Sequence, residues 1–333
     1  MEFIVTDGEL HEQGYLQNFD SLDFDLADRL DFELVTNEIL GFGQYIIMPG
    51  TEWGGIVQRI TRSTDTQKVI YTGISFRGLL DQDIITPPSG QDYRTISGDA
   101  NAILATILPE GNGAATLFNV PSESAGVTFT NYKFERYRSK LYSLAKMLKT
   151  KDMKLRIWAQ ENDPGDPVSV WCEAVPIIDY TDRLKYSQDY GIRLTIDDDR
   201  GGINHMICLG QGDLAARQRI DLYVQQDGSI STAGAYYTGI DMRTSVYNYS
   251  SVESLDDLQK SGIEKLEELS NRRELDMDVG EFEADIGDIV AAQDGVTGIS
   301  LSKPVTGKIL RIQDHSEKIE IIVKGGTDEN GNY

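Results

Sequence analysis

The residues of this 333-residue chain that could do chemistry are abundant in one class and sparse in every other. Asp and Glu number 54 against 31 Lys and Arg, with three histidines and two cysteines. His11, His205 and His315 fall in different segments, and no Cys-x-x-Cys or His-x-x-x-His pairs ligands at the short spacing a zinc site uses. No metal site is therefore expected, and His205, inside the strand-like run Asn204–Gly210, reads as a partly buried sheet residue. The sharpest carboxylate cluster is Asp197-Asp198-Asp199, with Asp179 and Asp182 upstream. A calcium loop places oxygens at alternate positions and closes on a bidentate Glu. This run does neither, so it reads as a solvated hairpin turn, with a weak divalent-cation site as the alternative. Gly210-Gln211-Gly212 and Gly41-Phe42-Gly43 lack the lysine of a phosphate loop and the rest of a dinucleotide fingerprint, which leaves them as turns. No cofactor is expected. No Gly-x-Ser-x-Gly elbow is present. A glycan hydrolase working through two carboxylates stays open only because so many acidic pairs exist.

Two stretches could instead bind a partner. A helix expected over Phe134–Thr150 places Tyr137, Leu141, Leu144, Ala145 and Leu148 on one apolar stripe. Between them stand Arg136, Arg138, Lys140, Lys146 and Lys149, either a docking face for an acidic partner or ordinary solvated helix charge. The polar run 233–249 is tyrosine-rich, and Tyr236, Tyr237, Tyr247 and Tyr249 are its candidate glycan contacts. A formal net charge of −23 repels phosphate backbones and anionic lipid, which argues against tight nucleic-acid binding. The N-terminus has no signal-peptide pattern, and no apolar stretch nears the ~18 residues needed to cross a bilayer. Membrane insertion is not expected. Cys172 and Cys208 each sit in an apolar strand-like run and read as buried free thiols of a chain folded in a cytoplasm.

The elements that must hold these residues are mostly strands. Leu22, Phe24 and Leu26 share a face, Phe32 and Leu34 repeat it, and Tyr45–Met48 ends at the turn Pro49-Gly50. Gly54–Ile60 and Lys68–Ile74 read as a hairpin around 62–67, the short strands together suit a small antiparallel barrel or sandwich, and Pro87-Pro88 ends the stretch. A mixed α/β region follows at 91–189. It has a short helix capped by Asp99, the basic helix, and paired strands at Lys154–Trp158 and Ser169–Ala174. Strands at Gly191–Ile196 and Asn204–Gly210 flank the acidic turn, and a helix over Ser251–Glu274 carries Leu255, Leu258, Leu266 and Leu269, with Ser250 and Glu253 as its capping box. Alternating strands near 287–290, 307–312 and 318–323 precede a polar end expected to be mobile over 327–333. The expected class is α+β, mainly antiparallel β.

Three pieces in order resemble the Gp37-like family of siphophage tail proteins, relatives of the myophage baseplate hub. The first is Phe19–Leu22 to Asp31–Leu34, with Trp53–Val57 and Thr72–Leu80. The second is the helix Tyr137–Ala145 with the strand after it, and the third is Asn204–Gly212 with Arg217 and Tyr223, the leucine-striped helix and Ile286–Val290. The resemblance implies a virion structural protein of the tail tip, assembled in the host bacterial cytoplasm, that is not an enzyme. It implies two β-barrel tube domains, residues 1–90 and a discontinuous second barrel of 190–228 and 275–326, with 229–274 inserted and 91–189 peripheral. It further implies a homotrimeric hub ring that adapts a six-fold tail tube to a three-fold tip and lets DNA pass without specific binding during genome ejection. Its implied partners are a distal tail ring, a tape-measure protein and a tip or fibre protein. Two departures stand out: Ala27–Asp31 is less basic than the family pattern, and no lytic or receptor-binding domain follows near Tyr333. The alternative reading is a carbohydrate- or receptor-binding β module of a tail.

Overall fold

The alternation near the N-terminus buries one face of a long antiparallel sheet. The computed structural model describes residues 2–62, 68–181, 193–199, 201–226, 228–252, 254–270, 272–278, 284–293, 300–313 and 316–324. The expected mobile end and loop positions 63–67 lie outside them. The chain divides into two compact units: Met1–Asp179 with Asp278–Ile289 and Pro304–Ile322, and Tyr180–Met277 with Val290–Lys303 and Val323–Tyr333.

In the first unit the strands β1 (Ile4–Thr6), β2 (Glu12–Tyr15), β3 (Phe19–Asp25), β4 (Asp31–Thr36), β5 (Tyr45–Ile47), β6 (Gly54–Arg62) and β7 (Val69–Ser75) pair in the order β3-β4-β7-β6-β5-β1-β2. Register explains the shared face: Leu22 opposes Leu34 and Phe24 opposes Phe32. All four, with Leu26, are essentially fully buried. Phe32 stacks beside Phe24 with ring centroids 5.3 Å apart, and its ring lies over Gly55 and Gly73, where a Cβ would come within 2.8 and 2.7 Å of it. Only glycine leaves room for that ring. Beyond β3 the sheet continues through Gly307–Gln313, with Leu310 opposite Phe24 and Ile312 opposite Leu22, and then Ser316–Lys324. The family resemblance implies a second barrel that includes residues 307–312, and in the structure this strand pairs with β3. Alternation fixes which face of a strand is apolar but not which strand it joins.

The rest of the first unit is a second core of helices against short sheets. Ser75 caps α1 (Phe76–Gln82), accepting from the Gly78 amide. This helix was not expected, because Gly73-Ile74-Ser75-Phe76 alternates like the strand before it. Asp99 caps α2 (Ala100–Ile107) through the Asn101 amide, as the sequence predicts. The basic helix is shorter than its periodicity implies: α3 spans Lys140–Lys149, with Ser139 accepting from the Tyr142 amide. Tyr137 lies before it at φ 55° and is 62% exposed, and Ala145 faces solvent, so neither joins the stripe. Serine starts a helix well because its hydroxyl accepts from a first-turn amide that has no partner within the helix, and Arg138–Ser139 is used as a strand against Ile84–Ile85. The buried side chains of α3 are Lys140, Ser143, Leu144, Met147 and Leu148. They pack with Leu79, Leu80, Leu104 and Ile107 and with the expected hairpin, now Met153–Gln160 paired with Ser169–Pro176.

The second unit has a four-stranded sheet in the order Ile230–Ser231, Arg219–Val224, His205–Leu209, Thr244–Asn248, the last pair parallel. Its apolar face holds Met206, Cys208 and Leu222 against Leu258 and Leu266 of α4 (Leu255–Leu269). Gly262 lets the helix touch the sheet, since a Cβ there would sit 2.4 Å from the Cys208 sulfur. The helix is capped by Ser254 through the Asp256 and Asp257 amides rather than by Ser250, and the chain is a strand by Arg272–Asp278. Ser254-Leu-Asp-Asp is as good a start signal as Ser250 with Glu253, and the later serine wins. The acidic run also differs from expectation. Asp197, Asp198 and Asp199 belong to the strand Arg193–Asp199, not to the turn after it. The fold is α+β and mainly antiparallel β.

Candidate functional site

The most elaborate polar constellation among the described residues draws its members from positions far apart in the chain, so sequence spacing does not group them. Glu52, in the turn before β6, is 7% exposed and receives Arg77 Nε at 2.8 Å and Lys308 Nζ at 2.8 Å. Arg77 comes from α1 and also donates to the Leu155 carbonyl at 3.4 Å. Lys308 lies 5.3 Å from the centroid of the Trp53 ring and 3.5 Å from Asp285 Oδ1. Lys154 links Asp285 Oδ2 at 3.1 Å with Asp288 Oδ2 at 2.6 Å. Asp288 is 1% exposed and accepts amides from Ile178 at 2.8 Å and Asp285 at 2.9 Å. Three acids and three bases thus balance across turns, a helix and strands of one unit. Beside them opens a cavity of about 450 Å³ lined by Glu52, Trp53, Arg156, Trp158, Asp285 and Lys308 among others.

Burial alone would raise the Glu52 carboxyl, but Arg77 and Lys308 overcome it and pull it down to about 2, against an ordinary 4.5. Burial likewise opposes the Lys308 ammonium, yet Glu52 and Asp285 hold it above its usual value. Glu52 is therefore a fixed anion and not a proton donor at neutral pH. Its folded pKa lies below its unfolded one, so its stabilisation is complete above about pH 4.5 and is lost as pH falls toward about 2. The difference in unfolding free energy between wild type and Glu52→Gln should be constant above pH 4.5 and shrink steadily below it. Urea midpoints measured across that range check this; a pH-independent difference would contradict it.

The five basic residues do not form one face. Lys140 is a core residue, 1% exposed, whose ammonium binds Asp83 Oδ2 at 3.0 Å and the carbonyls of Leu108 and Glu110 at 2.7 Å each. It cannot dock a partner, because it is buried and is already the partner of three oxygens. Lys146 is held by Glu135 at 2.7 Å and the Tyr142 hydroxyl at 2.8 Å. Burial opposes that charge, but these two partners raise it. Arg138 pairs with Glu135 at 3.5 Å and lies over the Tyr142 ring. Arg136 lies over Tyr137, and Lys149 is exposed at the helix end. What remains on the surface is a small aromatic and ionic cluster around Glu135.

The tyrosines are also divided. Tyr237, Tyr247 and Tyr249 pack against the core of the second unit, while Tyr236 is 49% exposed and meets Tyr237 edge-on. His205 is a buried sheet residue, as expected. Its ring stacks on Tyr223 at 4.5 Å, with Nδ1 2.9 Å from Thr244 Oγ1 and Nε2 3.0 Å from Asp221, which Arg219 also clamps with two bonds of 2.7 Å. Side chains of Asp197–Asp199 lie outside the described residues. Elsewhere, burial raises the carboxyls of Asp23 and Asp31 on β3 and β4, but neither lines the cavity beside Glu52. Both cysteines are buried and free, and burial pushes their thiols up to about 12 for Cys172 and about 11 for Cys208.

No protein-family model matches the sequence, and no curated protein matches it. Solved structures do. The 43 kDa tail protein of prophage MuSo2 from Shewanella oneidensis superposes with a TM-score of 0.54 at 12% identity, covering 100% of both chains. The tail protein from Neisseria meningitidis MC58 gives 0.51 at 14% identity, over 97% of this chain and 96% of that one. At these identities the likeness is one of fold: the chain resembles in fold one prophage tail protein and one further tail protein.

Proposed function

We propose that the chain is a structural hub protein at the tail tip or baseplate of a long-tailed phage or a related tail-like particle. Three copies form a ring between a six-fold tail tube and a three-fold tip, and DNA passes through without being bound. The observation that carries this reading is the likeness of fold, over 97% or more of this chain, to a prophage tail protein and to a second tail protein. The resemblance to the Gp37-like family supports it on separate grounds, from the order of Phe19–Leu34, Trp53–Val57 and Asn204–Gly212 along the chain. The net charge of −23 suits a channel that must repel phosphates. Its partners are the distal tail ring above, the tape-measure protein, and a tip or fibre protein below, and its place is the virion. The ion-paired state of Glu52, Lys308 and Asp288 fits a role in holding the scaffold rigid rather than in catalysis.

Disruption of the gene, followed by electron microscopy of the particles produced, tests the reading. Tails should be missing or should lack a tip, and the chain supplied in trans should restore them. Complete, infective particles without the chain would overturn it.

A further inference from the structure

One stretch of this acidic chain reverses its charge. From 124 to 151, Glu135 is the only acidic residue among seven lysines and arginines, whereas the whole chain has 54 acids against 31 bases. Lys140 belongs to the core, but Arg136, Arg138, Lys146 and Lys149 are exposed, in the turn before α3 and along that helix. Helix electrostatics accounts for two of the four. Lys146 and Lys149 stand in the last turn of α3, where a cation meets the negative end of the helix dipole. Arg136 and Arg138 stand just ahead of the first turn, at the positive end, and that turn holds no acidic residue to offset them. Folding gains nothing from cations there.

The backbone of the same turn is unfavourable as well. Tyr137, at φ 55°, holds a conformation that glycine or asparagine adopts more readily, and its exposed ring recovers nothing by burial. The turn is pinned on both sides. Phe134 is buried and its amide donates to the Arg94 carbonyl at 3.0 Å, while Arg138–Ser139 pairs with Ile84–Ile85. Strain held in place by its surroundings is a mark of functional positions. The side chains are ordered too. Arg136 lies 5.4 Å from the centroid of the Tyr137 ring, and Arg138 and Lys146 lie 5.4 and 5.2 Å from that of Tyr142. Glu135 fixes Lys146 at 2.7 Å and Arg138 at 3.5 Å, one carboxylate against several cations. Arginine and tyrosine are the common anchors of interfaces, and anchors already stacked lose little freedom when a partner covers them.

We propose that Arg136, Tyr137, Arg138, Tyr142 and Lys146 form a docking surface for an acidic segment of a partner protein. Charge complementarity selects the acidic class. The net charge of −23 then separates a protein segment from other anions. An extended phosphate polymer or an anionic membrane would run off so small a patch and meet the repulsion of the rest of the chain, while a short acidic segment ends within it. The same net charge counts against a second copy. Neither a trimer nor a channel enters this argument, so it stands apart from the ring reading above.

Fluorescence anisotropy of a labelled polyglutamate peptide, titrated with the full chain and its variants, tests the proposal. The peptide should bind the wild type at low salt and be released as salt is added. Arg136→Ala with Arg138→Ala should weaken binding at least about tenfold, as the loss of interface anchors does. Tyr137→Gly should also weaken binding while the melting temperature holds or rises, because glycine relieves the turn. A purely structural tyrosine would give the reverse pattern. Lys68→Ala, which removes a cation paired with Asp20 instead, should leave binding unchanged. A peptide that fails to bind the wild type, or binds the arginine variant equally well, would overturn the proposal. Tighter binding of single-stranded DNA or of phosphatidylglycerol vesicles than of the peptide would overturn it too, by making phosphate the preferred anion.

Discussion

Replacing Asp288 with alanine should lower the free energy of unfolding by about 3–5 kcal/mol, the usual consequence of removing one partner from a buried ion pair. Asp288 is 1% exposed and Lys154 5% exposed on its side chain, and their 2.6 Å contact is reinforced by two backbone amides on the same carboxylate. Alanine would strand the ammonium, which among the described residues keeps the half-exposed Asp285 at 3.1 Å, and would orphan the Ile178 and Asp285 amides. The cost arises from uncompensated burial and not from the worth of the pair as such. The double variant Asp288→Ala with Lys154→Met should accordingly recover a large part of the loss. Urea unfolding of the four proteins of this cycle measures it, with the midpoint shifting and the slope unchanged. A single-variant loss below about 1 kcal/mol would mean the pair is not buried in solution.

Lys140→Met should be comparably destabilising, about 3–5 kcal/mol, although the position reads in sequence as one cation of a solvated helix. Methionine fills similar space but leaves the Asp83 carboxylate, 10% exposed, and the carbonyls of Leu108 and Glu110 without the ammonium that joins them. These oxygens come from segments flanking α1 and α2, so one side chain at the start of α3 ties three helices together. Lys149→Ala, at the exposed end of the same helix, should stay within about 0.5 kcal/mol, as surface substitutions do. Thermal melts of the two variants side by side separate the roles. Equal, small effects would return Lys140 to the surface and restore the docking reading.

What could be read in sequence was what depends on near neighbours. Leu22, Phe24, Leu26, Phe32 and Leu34 alternate because one face of a sheet is dry, and they are core. Asp99 caps its helix because a short acidic side chain reaches the second amide of the turn. Cys172 and Cys208 sit in apolar strands, and they are buried and free. What could not be read depends on tertiary pairing. Lys140 is spaced like a surface cation, and only the approach of Asp83 and two helix-end carbonyls makes it a core residue. Tyr247 and Tyr249 pack against the core because the strand Thr244–Asn248 runs parallel beside His205–Leu209, a pairing that the polar stretch around it does not announce. The ionic cluster draws on positions 52, 77, 154, 285, 288 and 308. Its only local trace is a charge set in an apolar run, as in Phe76-Arg77-Gly78-Leu79 and Met153-Lys154-Leu155. A charge that interrupts such a run asks for a buried counter-charge, and that signal was available.

The claim that this chain assembles into a ring of three is tested most directly by its mass in solution. Sedimentation equilibrium of the purified full chain over a range of concentrations should give three copies per particle, with electron micrographs showing a ring. A single copy at every concentration, or a closed dimer, would contradict the account.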